Sequence, residues 1–207
     1  MGQDECFWEN IITGDETWCF AYDLATKRQS AEWVGQNSPK PKKLRFQKSR
    51  VKTMLIVFFR RRRCNSSRVC PWRAKSKCRI PRGCFGSATE KIRRVKTAKF
   101  QSSEWFLFHD NAQSHNAATV KKLLANRNVA VLQNPPYSPD LAPADYFLFP
   151  KFKFPLKGRH FRTVKEIQCA VTRELNNISK TAFLEGVKKL KECANKCIDQ
   201  GGMYFEE

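Results

Sequence analysis

The hydrophobic period of this chain changes along its length, and that change limits the folds open to it. Thr17 to Tyr22 sets Trp18, Phe20 and Tyr22 at every second position, which reads as a strand with one buried face. Thr53 to Phe59 is a second strand, apolar enough to be buried on both faces. Trp105 to His109 reads as a third. Ala117 to Leu124 offers Val120, Leu123 and Leu124 as one face of a short helix, and Val129 to Leu132 returns as a strand. From Thr163 onward the period is helical. Thr163 and Glu166 make a capping box for a helix whose Val164, Ile167, Val171, Leu175 and Ile178 share a face. A last helix puts Phe183, Val187, Leu190 and Ala194 inside, with Gly201 as its stop. Strands, then strands mixed with helices, then helices predict a mixed α/β sheet with helical cover. At 207 residues the chain fits one domain, 1–207.

Three aspartates lie where these elements end or begin. Asp110 follows the apolar run Trp105 to Phe108, where a buried strand emerges, and Asp145 follows a Pro-rich turn with 34 residues between the two. Asp15, in ITGDETW, borders the first strand. Backbone elements of one sheet can gather all three. Carboxylates from separate elements hold two divalent cations ~3.5–4 Å apart for in-line phosphoryl displacement. Oxygen donors of this kind suit Mg²⁺ or Mn²⁺ better than zinc. An aspartate triplet by itself is a weak signal, because most aspartates are solvated turn or cap residues.

Charge narrows the partner. A net +20, from 39 Lys and Arg against 19 Asp and Glu, favours a polyanion through phosphate neutralisation and counterion release, with nucleic acid first. Ribosomal surfaces and anionic membranes share those electrostatics. The longest apolar run, Met54 to Phe59, is far short of the ~20 residues of a membrane-spanning helix, so no membrane partner is expected. MGQDECFWEN has no basic-then-apolar secretory pattern, and Cys6 stands where a myristoylation signal needs Ser or Thr. Nine cysteines without a C-x-x-C pair predict reduced intracellular thiols.

Two tracts stand outside the periodic scheme. Ala25 to Arg50 reads as a long basic loop carrying Trp33. Arg60 to Lys91 shows neither helical nor strand period, holds Cys64, Cys70, Cys78 and Cys84, and from Arg61 carries ten Lys or Arg against one Glu. Zinc binding by those four cysteines is disfavoured by spacings of five and seven residues.

TGDETW, the tract from SAEW through NSPKPKK to KTML, then HDNA, PPYSPDLAPADYFLF and a C-terminal GGMYFE resemble the catalytic domain of mariner-type transposases of the Tc1/mariner superfamily. The resemblance runs from about Ile11 to Phe205, with a break at Arg60 to Lys91. It implies a ribonuclease-H-like fold, two Mg²⁺ or Mn²⁺ ions, and cutting and rejoining of DNA at transposon ends, with a nuclear location. Its first acid matches Asp15, its second Asp110 and its third Asp145, so these are the expected catalytic and metal-binding residues. Asp140 competes for the third place, but Ser-Pro-Asp-Leu reads more naturally as a turn. Trp33, Lys40, Lys42, Lys43, Arg45 and Lys48 correspond to a loop that in the family contacts DNA and the partner subunit. DNA and a homodimer partner are thus implied, and no small-molecule substrate. His109, Asn111 and His115 flank the second acid; a histidine ending a buried strand is more often structural, and Asn111 serves equally as a helix cap. Alternation points Glu16 away from Asp15.

The chain departs from the family in two places. It starts just before the first acid, without the helix-turn-helix units that read transposon ends, so end recognition is expected to be absent. The aperiodic 60–91 tract replaces an expected strand and helix, as a slip of reading frame would, and it predicts a disrupted sheet. Two readings follow: a metal-dependent DNA-cleaving catalytic domain, active or decayed, or a noncatalytic basic nucleic-acid-binding protein derived from a transposon.

Overall fold

The structure, a computed structural model, describes residues 7–8, 10–35, 46–61, 63–71, 105–110, 118–126 and 129–202, with the backbone alone for 63–71, Thr119 and Leu123. Five strands form one mixed sheet: β1 (Ile11–Phe20), β2 (Lys52–Arg60), β3 (Arg63–Pro71), β4 (Phe106–His109) and β5 (Ala130–Gln133), in the order β3-β2-β1-β4-β5. β2 pairs antiparallel with both β1 and β3, whereas β4 runs parallel to β1 and β5 parallel to β4. The long return from β4 to β5 carries helix α1 (Ala118–Ala125), as a parallel crossover requires. A 3-10 turn (Pro139–Leu141), a π turn (Ala144–Leu148) and helices α2 (Phe149–Lys153), α3 (Val164–Asn177) and α4 (Lys180–Asp199) complete the chain.

Strand alternation sorts the apolar residues onto two faces. Cys19, Leu55, Val57 and Phe59 pack against Leu148, Phe149 and Phe152, Ile167 and Val171 of α3, and Phe183 and Val187 of α4. Ile12, Ile56 and Phe58 meet Trp105, Leu107 and Val129, with Val120 and Leu124 of α1, on the other face. The sheet is therefore covered on both sides, as anticipated, and its central strand has no solvent face. That explains where the sequence reading of β1 fell short. Alternation marked only its second half, yet the strand begins at Ile11, so Asp15 lies inside it and not at its border.

The tract that looked aperiodic also contributes a strand. Arg63–Pro71 pairs with β2 from Arg60↔Arg63 to Thr53↔Pro71, with a register shift between Phe58 and Phe59. Ladder bonds are made by backbone groups, and an edge position needs no two-faced apolar pattern, so pairing forms without the usual side-chain signal. The expected loss of a strand is corrected to that extent. The rest of the 60–91 tract lies outside the described residues, as do the side chains of Cys64 and Cys70.

The first late helix starts at the cap the sequence predicts, and the second is capped as well. Thr163 Oγ1 accepts from the Glu166 N–H at 3.2 Å, and the Glu166 carboxylate accepts the Arg162 N–H at 2.9 Å, one residue earlier than in the usual reciprocal box. Ser179 caps α4 through the Ala182 N–H. Gly201 and Gly202, at φ 65° and 86°, end it in the left-handed region. Cys193, not Ala194, completes the buried face of α4.

Candidate active site

Register decides which side chains meet at the C-terminal ends of the parallel strands. Gly14 pairs with His109, so the next step along β1 and β4 sets Asp15 beside Asp110. Asp15 also stands opposite Val57 and Glu16 opposite Ile56, residues of the two opposite cores, which puts the two acids on different faces of the sheet. Alternation had assigned Glu16 that orientation. On β5, Gln133 pairs with His109, which brings Asn134 level with Asp110 in turn.

The third acid reaches this row from above the sheet. Asp145 opens the π turn, whose Phe149 N–H bonds back to the Ala144 carbonyl five residues earlier. Pro150 has no N–H to give the Tyr146 carbonyl, and its ring crowds the preceding turn, which the wider spacing relieves. The turn is seated by the Tyr146 hydroxyl, donating to the Gly186 carbonyl of α4 at 2.8 Å. Burial pushes the Tyr146 phenol well above its usual range, so it stays a donor.

The acids sense one another. Burial, then the Asp145 charge, raises Asp15 to about 8, with smaller contributions from Glu16 and Asp110; only the Glu16 N–H, donating to Oδ1 at 2.7 Å, opposes them. Burial raises Asp145 too, followed by the Asp110 charge, against the pull of Lys153. Among the described residues no three His, Cys, Asp or Glu side chains converge on one ion position. Mg²⁺ keeps most of its water and takes one or two protein carboxylates, so a cluster shared pairwise is suited to it. The donor set is all oxygen, and its mutual repulsion is what a divalent cation would relieve. Asp140, the competitor for third acid, lies in the 3-10 turn with one carboxylate oxygen buried and no hydrogen-bond partner on it; its charge is not among those acting on Asp15.

Of the neighbours, His109 is buried and donates through Nδ1 to the Asp110 carbonyl at 2.6 Å, the structural part expected of it. Asn111 and His115 lie outside the described residues, as do Lys40, Lys42, Lys43 and Arg45 of the basic loop. Trp33 is fully exposed, and Lys48 pairs with Asp23 at 3.1 Å. Sequence reading missed Lys153. Its ammonium donates to Thr17 Oγ1, two residues beyond Asp15 on the same strand face, and its charge acts on Asp145. The available signal was its place two helical turns after Asp145.

Comparison with known proteins adds to this geometry. The family described as DDE superfamily endonuclease matches residues 86–168, a span that holds Asp110 and Asp145 but not Asp15. The Mariner Mos1 transposase of Drosophila mauritiana is 28% identical over 206 residues, 97% of this chain and 57% of the relative. The Histone-lysine N-methyltransferase SETMAR of Homo sapiens is 28% identical over 207 residues, 98% of this chain and 29% of the relative. The chain thus spans little more than half of the first relative's length and under a third of the second's. Three solved structures share its fold. A pre-cleavage Mos1 transpososome superposes at TM-score 0.86 with 26% identity, over 97% of this chain and 58% of that one. The Mos1 paired end complex with Mn gives 0.84 and 27%, over 96% and 57%. The corresponding complex with Mg gives 0.84 and 26%, over 97% and 58%. The ribonuclease-H-like expectation therefore holds, and motifs, fold and relatives together support similarity to a mariner-type transposase catalytic domain.

Proposed function

We propose that the chain is a DNA transposase catalytic domain that breaks and rejoins phosphodiester bonds, with Asp15, Asp110 and Asp145 as ligands of two Mg²⁺ or Mn²⁺ ions. The observation that carries this reading is the alignment of Asp15 and Asp110 at one level of adjacent parallel strands, with Asp145 close enough to raise Asp15 electrostatically. The relatives solved with Mn and with Mg support the choice of metal. When bound, such ions supply charge neutralisation at the attacking and leaving oxygens.

The chain's own residues do the rest. Three anchors of different kinds hold the carboxylates: strand pairing fixes Asp15, the His109 bond steadies the backbone at Asp110, and the Tyr146 bond seats the turn of Asp145. With the acids held in advance, little ordering remains to be done when a phosphate arrives. Without metal, Asp15 keeps its proton near neutrality, because its pKa stands at about 8. DNA as substrate goes with a nuclear site of action, and a second copy of the chain is the proposed partner, as the paired-end complexes of the relative suggest.

Nicking of supercoiled plasmid with Mg²⁺ or Mn²⁺, present in the purified chain and lost in Asp110→Ala, is the expected result. A folded chain that cuts with neither metal overturns the activity. One feature favours the noncatalytic alternative: the net charge of +20 with a fully exposed Trp33 suits backbone binding that needs no acids. DNA affinity that falls steeply with salt, unmoved by metal and by Asp110→Ala, would support it.

A further inference from the structure

Immediately after β5 stands a buried carboxamide that uses only one of its two ends. Asn134 is 5% exposed. Its Nδ2 donates to the Ser138 carbonyl at 3.2 Å, and because a carbonyl can only accept, that bond fixes which way the amide is turned. The other end, Oδ1, is buried with no hydrogen-bond partner among the described residues. A buried acceptor in that state costs stability, and folds carry such a cost chiefly where a ligand or a bound water uses the atom. The neighbours show what is in reach. Gln133 is the last residue of β5 to pair, with His109, so Asn134 and Asp110 each stand one residue past the last pair of that ladder. Asp110 also buries a carboxylate oxygen, Oδ1. Adjacent strands lie ~4.8 Å apart, about the distance one water spans between two acceptors. Mg²⁺ or Mn²⁺ held by carboxylates keeps several waters, whose hydrogens point outward and need acceptors in the layer beyond the direct ligands. Asn134 supplies a neutral acceptor there, with Pro135 and Pro136 stiffening the chain just behind it.

We propose that Asn134 is a positioning residue of the metal site: its Oδ1 accepts a hydrogen bond from a water bound to the divalent ion at Asp110. The inference rests on the reading of the three aspartates as metal ligands. A neutral amide oxygen orients such a water without adding charge to a cluster already crowded with carboxylates. The Ser138 bond holds the amide in place beforehand, so little side-chain freedom is lost when the ion arrives.

The test measures Mn²⁺ binding to the purified chain by the electron paramagnetic resonance of the free ion, with a melt of each variant in EDTA to show that it folds. Asn134→Ala removes the acceptor and is expected to bind Mn²⁺ about tenfold or more weakly than wild type. Asn134→Asp keeps an oxygen in place while giving up the bond to Ser138, and it is expected to bind at least as tightly as wild type. Where Asn134→Ala melts without cooperativity, Asn134→Ser takes its place, since it stays polar but lacks the carbonyl oxygen, and the same loss is expected. Wild-type affinity in the variant without the oxygen overturns the proposal. So does an equal loss in Asn134→Asp, which would assign the effect to the Ser138 bond and the shape of the loop. A wild-type chain that binds no Mn²⁺ overturns the metal-ligand reading and this inference with it, whereas wild-type binding that every variant retains overturns this inference alone.

Discussion

Asp15 and Asp110 each stand one residue past the last pair of a parallel ladder: Gly14 pairs with His109, and the next residue on each side is an aspartate. Nothing in the local sequence of either acid specifies the other. What brings them together is the register of two apolar strands, Ile11 and Ile12 against Phe106 and Leu107, fixed by burial of Ile12 and Leu107 in one core. Burial of Asp15 at that place, with the Asp145 charge second, raises its pKa.

The first prediction concerns pH. Asp15 has a folded pKa of about 8 against an ordinary 3.8, so the folded protein binds the proton that the unfolded chain has released. Its stabilising contribution is full below the ordinary value and is lost as pH rises toward the folded one. The metal-free protein is therefore expected to melt at falling temperatures from about pH 4 to about pH 8, and Asp15→Asn to flatten that slope while abolishing nicking. Thermal melts in EDTA across this range check it; equal slopes in both proteins would refute it.

Metal binding should run the other way. A divalent ion competes with the Asp15 proton, so Mn²⁺ is expected to raise the melting temperature more at pH 8 than at pH 6. At a hundred times its dissociation constant the stabilisation is about 2.7 kcal/mol per site. Asp110→Ala should lose most of it. Melts at graded Mn²⁺ measure this directly, and a shift that ignores both pH and the substitution would mean binding elsewhere.

Lys153 ties the element carrying the third acid to the strand carrying the first. Its bond to Thr17 and its pull on Asp145 act together, and burial, the larger influence on it, lowers its own pKa. Lys153→Met is expected to cut nicking about tenfold or more at limiting Mn²⁺, a loss of about 1.4 kcal/mol or more. Thr17→Val removes the bond but leaves the charge, so it should cost less. Equal activity of all three proteins over a Mn²⁺ titration would deny the lysine any part in the site.

How much of this could be read beforehand differs by element. Strands β2, β4 and β5, helix α1 and the cap at Thr163 were legible, because each depends on a local period or on a local hydrogen bond. The full length of β1 was not, because a central strand covered on both faces has no alternation to show. β3 was missed for the opposite reason, since backbone pairing at an edge leaves little mark on side chains. The acids were found through their motifs and their places beside apolar runs. Their partners were hidden: Lys153 meets Thr17 across 136 residues, a contact that only tertiary packing creates.

The seat of Asp145 offers the last prediction. Gly186 lies within α4, where glycine ordinarily costs ~1 kcal/mol against alanine. Here a Cβ would fall 2.6 Å from two atoms of the Phe147 ring, one of them the ring carbon next to the Phe147 Cβ, which cannot swing aside cheaply. Phe147 packs in turn on Phe59 and Phe183, so the ring has little room to retreat. Overpacking of this kind costs ~1–3 kcal/mol, enough to outweigh the helix propensity gained. Gly186→Ala is thus expected to destabilise the protein by about 1–2 kcal/mol in urea unfolding. It should also lower nicking by more than the unfolded fraction explains, because the displaced ring belongs to the turn that carries Asp145 and the Tyr146 bond accepts on Gly186 itself. A Gly186→Ala protein that melts higher and cuts normally would show that α4 and the π turn adjust independently of the acids.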